Sequence, residues 1–470
     1  MALRAVLLAV VGLCLRAAGD AGFAAHVTEH WITQPLDHGR PALGSFAQRY
    51  LALGRPHGRA DGPAVVFLAG ERGVLATDLT DTFAGELAER LHGAAYALEQ
   101  RFYGVSVPAS PNGTLAHLRV WQTLRDVRRF CESIPASGWV LVGASLGGSL
   151  AAWTKHVWRD PRVFVVAEGA PMRVPWAYWR YDVAAAERLP CAAGVARGVA
   201  AVDRAVEAGG VVAEEVRRRF AWPAGGGGGA ADDAGFVAGV AAPVAAAVQR
   251  GDARGLCARW SAAGGARDPV GALAAVASSP VWPGSRACPP LRAWLWQQCG
   301  ELGLWQTTPP RSSPFFARRL RSRLLTPLHY TALCRRCLKP TQPPAAWRPL
   351  FLRFAHEAAE YLADRRDVVF LVGGDDPWRY VAVAEGARAR VDVAGVGHGW
   401  VVRGLVEGDE AVAAAREAVV DRVLAWLQDV RPSRGGTSAV VRIAYRQAYA
   451  LAVLAAALAI YALCRVFAAG

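Results

Sequence analysis

A serine hydroxyl attacks a carbonyl only when a base takes its proton and a carboxylate orients that base. Gly143-Ala144-Ser145-Leu146-Gly147 fits G-x-S-x-G, and it stands between an apolar run at 139–142 and a helical pattern at 149–157. Glycines at that spacing permit the sharp strand-to-helix turn that lifts a hydroxyl above the strand end. Ser145 is therefore the candidate nucleophile. Such a turn calls for an acid and then a histidine further along the chain. The apolar run 368–372 ends in Gly373-Gly374-Asp375-Asp376-Pro377-Trp378, and the run Arg390–Val393 is followed by Gly395-Val396-Gly397-His398. Of the ten histidines only His398 lies beyond Asp376, 22 positions on. Asp376 is the expected orienting acid, with Asp375 as the alternative, and His398 is the expected base. The oxyanion of a tetrahedral intermediate would take the N–H of Leu146 and a second donor from Gly70-Glu71, after the run Ala64–Leu68. The chemistry is acyl transfer through an acyl-enzyme.

These residues need a scaffold that brings three distant strand ends together. Residues 31–50 read as an entering β-hairpin. Apolar runs at Ala64–Leu68, Ala94–Leu98, 139–142 and 163–167 then alternate with helical patterns at 84–91, 115–132 and 149–157. Short apolar runs alternating with helices predict a mostly parallel sheet covered on both faces, an α/β fold. From about Met172 to Arg348 the alternation stops, and Ala-, Arg- and Trp-rich helical stretches take over, including the glycine run 225–229. This predicts a helical insertion lying as a cap over the site, with the sheet resuming at 368 and a closing helix at 409–429. The expected organisation is a signal peptide at 1–19, the first part of the core at 20–171, the cap at 172–348 and the second part of the core at 349–431. A linker at 432–446 and a transmembrane anchor at 447–469 would follow.

The ends carry the targeting expectations. Residues 1–19 combine Arg4, an apolar stretch and a small-residue close, as a secretory signal does. Residues 448–464 are an unbroken apolar run closed by Arg465, at the short limit for a spanning helix. Seven cysteines lie between these segments, enough for three disulfides and one thiol, with the pairing left open. Cys334 and Cys337 have the spacing of half a zinc site, but no second pair exists and two arginines stand between them, so they read as structural. No metal or other cofactor is expected. Asn112 in Asn112-Gly113-Thr114 is a glycosylation sequon. The net charge of +14 comes from arginines scattered among apolar runs with no recognition motif beside them, so nucleic acid is not an expected partner. The partners expected are peptide substrates, the membrane through the C-terminal segment, and a second copy in a homodimer.

Several spaced motifs also resemble the prolyl-carboxypeptidase type of serine peptidase. They are Gln34-Pro35-Leu36-Asp37-His38, Glu99-Gln100-Arg101-Phe102-Tyr103-Gly104, Ser145-Leu146-Gly147-Gly148-Ser149-Leu150-Ala151-Ala152-Trp153, Gln298-Cys299-Gly300-Glu301-Leu302-Gly303 and Asp376-Pro377-Trp378. The second and third look nearest to the family's thymus-specific branch. The resemblance implies an α/β-hydrolase core with a helical cap. It also implies cleavage of short, proline-containing peptides in a lysosomal, endosomal or extracellular space, and an exopeptidase with Ser145, Asp376 and His398 as its triad. Trp378 and Glu301 would then line the substrate pocket. Three positions depart from the family pattern: Gln100 replaces a histidine, Arg72 replaces the glycine after the oxyanion-turn glutamate, and Gly399-Trp400-Val401-Val402 lacks an acid. An esterase, or a catalytically weak binding protein on the same fold, are the alternatives.

Overall fold

The computed structural model describes residues 26–54, 62–109, 114–222, 230–277, 288, 292–339, 341–403 and 409–430. Residues up to Trp426 form one compact unit; of a second, Leu427–Gly470, only 427–430 at the end of a helix are described. The expected signal, the glycine run, Asn112, the linker and the anchor segment lie outside the described residues. Among the described residues no helix is long and apolar enough to cross a membrane.

The strands are β1 (Val27–Pro35), β2 (Ser45–Leu53), β3 (Ala64–Leu68), β4 (Ala94–Leu98), β5 (Trp139–Ala144), β6 (Val163–Glu168), β7 (Val368–Gly373) and β8 (Arg390–Val393). They form one eight-stranded sheet in the order β1-β2-β4-β3-β5-β6-β7-β8. β1 and β2 pair antiparallel, as does β2 with β4, and the remaining pairs are parallel. This order, with the Ser145 turn after the central β5, is the α/β-hydrolase fold. β3, β5, β6 and β7 are buried at every position, which is why they read as continuous apolar runs rather than alternating ones.

Helices cover both faces. The helices Phe83–Arg90 and Glu410–Val430 are tied by the Arg90–Glu417 ion pair and by Arg416–Glu86 at 2.9 Å. On the other face, Trp153 in the helix Leu146–Trp158 meets Phe351 of the helix Trp347–Ala363 edge-on at 5.1 Å. The helix expected from 115 begins only at Val120, because Arg119 is extended and the Val120 N–H is taken by the Glu301 carboxylate at 2.8 Å.

Between β6 and β7 the chain is helical among its described residues, and it builds its own apolar cluster from residues such as Val195, Val199, Val240 and Leu273. Three disulfides bind this insertion: Cys191–Cys257, Cys288–Cys337 and Cys299–Cys334. Cys334 and Cys337 each bond a distant partner, as a structural role requires, and Cys131 is the buried free thiol.

Two of the stretches that carry the family resemblance serve the fold. Arg101 holds Asp126 through Nε at 2.6 Å and Nη2 at 2.7 Å, and His38 Nε2 lies 2.7 Å from the same carboxylate. Gln34 bonds Gln48 at 2.8 Å, and Gln48 in turn donates to the Glu99 carbonyl at 2.7 Å. A buried charge is tolerable only when paired and hydrogen-bonded, and this network meets that condition. Gln100 is buried beside it and donates to Thr123 Oγ1 at 3.4 Å.

Candidate active site

Ser145 follows β5 with φ 56° and ψ −128°, a left-handed conformation that a non-glycine residue adopts only under constraint. Its N–H donates to the Glu168 carbonyl at 2.8 Å, so the adjacent end of β6 holds the turn. A Cβ on Gly147 would collide with the Leu68 carbonyl and lie 3.5 Å from the Gly70 nitrogen. The turn after β3 therefore abuts the Ser145 turn, and only glycine allows that approach. Leu146, Gly70 and Glu71 meet at this junction.

β7 and β8 deliver the other two groups. His398 Nδ1 lies 2.8 Å from Asp376 Oδ2, and both side chains are buried. Asp376 Oδ1 accepts the Trp378 N–H at 2.8 Å, which fixes the carboxylate's orientation. His398 N–H donates to the Gln249 carbonyl at 3.0 Å. His398 Nε2 is buried and has no hydrogen-bond partner, so it is not closed onto Ser145. Links of this kind often tighten only when substrate is bound. Asp375 does not face the histidine; it pairs with Arg188 at 3.2 Å.

A cavity of about 390 Å³ opens beside Ser145 and Leu146 and is bounded by Glu71, Trp294, Gln298, Trp305, Tyr330 and Trp378. Trp378 stacks on Tyr178 at 5.3 Å and approaches the His398 ring at 6.2 Å. Arg72 is absent from this lining. Its guanidinium is paired with Asp78 and donates to the Gly73 carbonyl at 2.9 Å, so it neither crowds the cavity nor adds a donor to it. The Asp78 carboxylate raises the Arg72 pKa further.

Glu301 does not line the cavity. Its carboxylate is buried, accepts the Val120 N–H at 2.8 Å and lies 3.4 Å from Arg119 Nε. Burial raises its pKa against these donors. The pocket role expected from the resemblance is thus corrected to a structural one, because the backbone start of the helix Val120–Ser133 needs an acceptor there. Its neighbours Gln298 and Leu302 do reach the cavity. Glu301→Gln is expected to lower stability by roughly 1–3 kcal/mol while leaving KM near wild type, measured by urea unfolding and steady-state kinetics.

Three contributors were not anticipated from the sequence. Gln249, from the helix Ala230–Gln249, lines the cavity and accepts from Tyr181 Oη at 2.8 Å and Trp378 Nε1 at 3.3 Å. Nothing in that Ala-rich stretch marks it. Gly169 packs so tightly that a Cβ would sit 2.7 Å from His398 Nδ1. Glu168 was legible as a charge closing an apolar run. Its carboxylate accepts the N–H groups of Val401 at 2.9 Å and Val402 at 2.6 Å, meeting the backbone of the stretch that lacks an acid of its own.

Burial pushes the Glu168 carboxyl up to about 7, against the two N–H donors that favour its ionised form. The ordinary value is 4.5, so the folded chain holds this proton more tightly than the unfolded chain does. Stability contributed by Glu168 is then present at acid pH and is lost as pH rises through about 7. The ceiling on that contribution is on the order of 3 kcal/mol. Glu168→Gln cannot ionise and is expected to flatten this part of the profile, read from urea midpoints at about pH 5 and about pH 8. An unchanged slope in the variant would remove Glu168 as the cause.

A family model described as serine carboxypeptidase S28 matches residues 34–260. The thymus-specific serine protease of Homo sapiens is 29% identical over 216 residues, 42% of this chain and 42% of that protein. The lysosomal Pro-X carboxypeptidase of Mus musculus is 29% identical over 177 residues, 35% of each chain. The chain thus spans about two-fifths or less of the length of these relatives. Among solved structures, haloalkane dehalogenase DbeA from Bradyrhizobium elkani USDA94 is 13% identical, with 86% of this chain and 99% of that one covered at a TM-score of 0.36. The fold assignment rests on the strand order and not on that overlay. Over residues 34–260 the chain is thus similar to the serine carboxypeptidase S28 family, and its similarity to these relatives supports a serine-type peptidase.

Proposed function

We propose that the chain is a serine peptidase that hydrolyses short, proline-containing peptides through an acyl-enzyme on Ser145. The observation that carries this reading is the buried 2.8 Å bond between His398 Nδ1 and Asp376 Oδ2, at the ends of neighbouring strands beside the Ser145 turn. With Nδ1 engaged by the carboxylate, Nε2 is the nitrogen left to take the serine proton and later give it to the leaving amine. The N–H of Leu146 and a donor from Gly70-Glu71 receive the oxyanion, where preorganised dipoles act most strongly. The faces of Trp294, Trp305, Tyr330 and Trp378 suit a pyrrolidine ring, and the cavity's volume suits a short peptide.

Three disulfides point to an oxidising compartment. We assign the enzyme to lysosomal, endosomal or extracellular space on that basis. The direct test is labelling of the native protein by a fluorophosphonate probe, followed by a peptide library with proline at successive positions. Wild type should label and Ser145→Ala should not. Equal labelling of the two proteins, or none of either, would sink the serine peptidase reading.

A further inference from the structure

Gln249 ends the helix Ala230–Gln249 and reaches the site from the insertion between β6 and β7. Its backbone carbonyl accepts the His398 N–H at 3.0 Å, which sets it against the loop that carries the base. Its Oε1 lies 2.8 Å from Tyr181 Oη and 3.3 Å from Trp378 Nε1. An indole N–H can only donate, so the end of the amide that meets Trp378 has to be the carbonyl oxygen. Turning the amide over would set two donors against each other. Tyr181 supplies a second donor to the same oxygen, and both of its acceptor positions are then occupied. The amide nitrogen has no acceptor among the described residues, although Gln249 lines the cavity beside Ser145 and Leu146. Its N–H groups are therefore left for an acceptor that enters the cavity.

We propose that Gln249 is a specificity-determining residue: its Nε2 donates to a carbonyl oxygen of the bound acyl chain other than the one under attack. The oxyanion donors take the attacked carbonyl, so this bond requires a second carbonyl in the substrate. The acyl part of a peptide carries one, and a simple alkanoyl group carries none. The amide is neutral, which matches a carbonyl and makes no demand for a charged substrate terminus. Trp378 and Tyr181 fix the side chain before substrate arrives, so little ordering entropy opposes the bond. A substrate that fills the cavity without offering the oxygen leaves the N–H groups unpaired, and that penalty rejects it. The proposal rests on the serine peptidase reading and names the residue that separates a peptide from a plain ester.

The test compares two p-nitrophenyl esters, that of N-acetyl-alanine and the alkanoyl ester with CH2-CH2 in place of its CO-NH. Both are assayed for kcat/KM on wild type and on Gln249→Glu. The substitution keeps an oxygen for Trp378 and Tyr181 and exchanges only the donor end of the side chain for an acceptor. The preference for the acetyl-alanine ester is expected to fall by on the order of tenfold or more. Intrinsic ester reactivity and any disturbance of His398 act on both substrates and cancel in the ratio. As pH falls through about 4 to 5 the introduced carboxyl takes up a proton and can donate again, so the preference should return in part. A defect in the cavity wall would not follow that titration. An unchanged preference in Gln249→Glu, or a loss that persists unaltered at acid pH, would overturn the assignment. Fluorophosphonate labelling run alongside separates the two layers. Labelling with a preference untouched by the substitution removes only the role of Gln249, whereas no labelling removes the nucleophile and this inference with it.

Discussion

Ser145→Ala is expected to lower kcat by about a million-fold, and adding His398→Ala to it should cost little more. The reason is that the two side chains perform one act. A hydroxyl without its base stays protonated, and a base without the hydroxyl has no proton to take. Turnover that survives would come from the oxyanion donors and from substrate binding alone, so the single and double variants should converge on the same residual rate. The measurement is single-turnover hydrolysis of a proline-containing peptide amide by both variants, with thermal melts to show that each is folded. A double variant that loses the full product of the two single losses would mean that the residues work independently. That result would break the proposed pairing of Ser145 with His398.

The second large effect separates two adjacent acids. Asp376→Asn is expected to reduce kcat by roughly 10⁴-fold, because an amide in that place no longer stabilises the imidazolium and can hold the ring in the wrong tautomer. Asp375→Asn should stay within a few-fold of wild type by the same logic. The structure motivates the contrast: Asp376 Oδ2 is 2.8 Å from His398 Nδ1, while Asp375 is half-exposed and paired with Arg188 of the insertion. Steady-state kinetics on both variants decide the matter. If Asp375→Asn proves the damaging change, the acid has been misassigned and Asp376 is a turn residue.

Both effects concern residues that the sequence alone singled out, and the reason is local. Fully buried parallel strands must be apolar at every position, so β3, β5, β6 and β7 appear as short runs whose ends are visible. The nucleophile turn needs glycines on either side of Ser145, and nearest-neighbour sterics set that requirement. The α/β class follows from the alternation, whereas the strand order is read from the structure. The places where the local pattern gave an incomplete answer are those where a distant group intervened. The helix at Val120 starts late because Glu301, 181 positions away, takes its first N–H.

What only the tertiary structure decided is the partner of each side chain. The run Asp375-Asp376 presents two equivalent acids on paper, and the turn after β7 aims one at His398 and the other at Arg188. Arg72 departs from the family pattern beside the oxyanion turn, and Asp78 draws its guanidinium away. Glu301 looked available to substrate and instead serves a helix start. Glu71, expected to matter only through its backbone, is a half-buried residue of the cavity wall. Backbone conformation is governed by near neighbours and is therefore written in spacing and residue type. Charge pairing depends on which distant elements the folded chain brings within a few ångströms, and linear order does not record that distance.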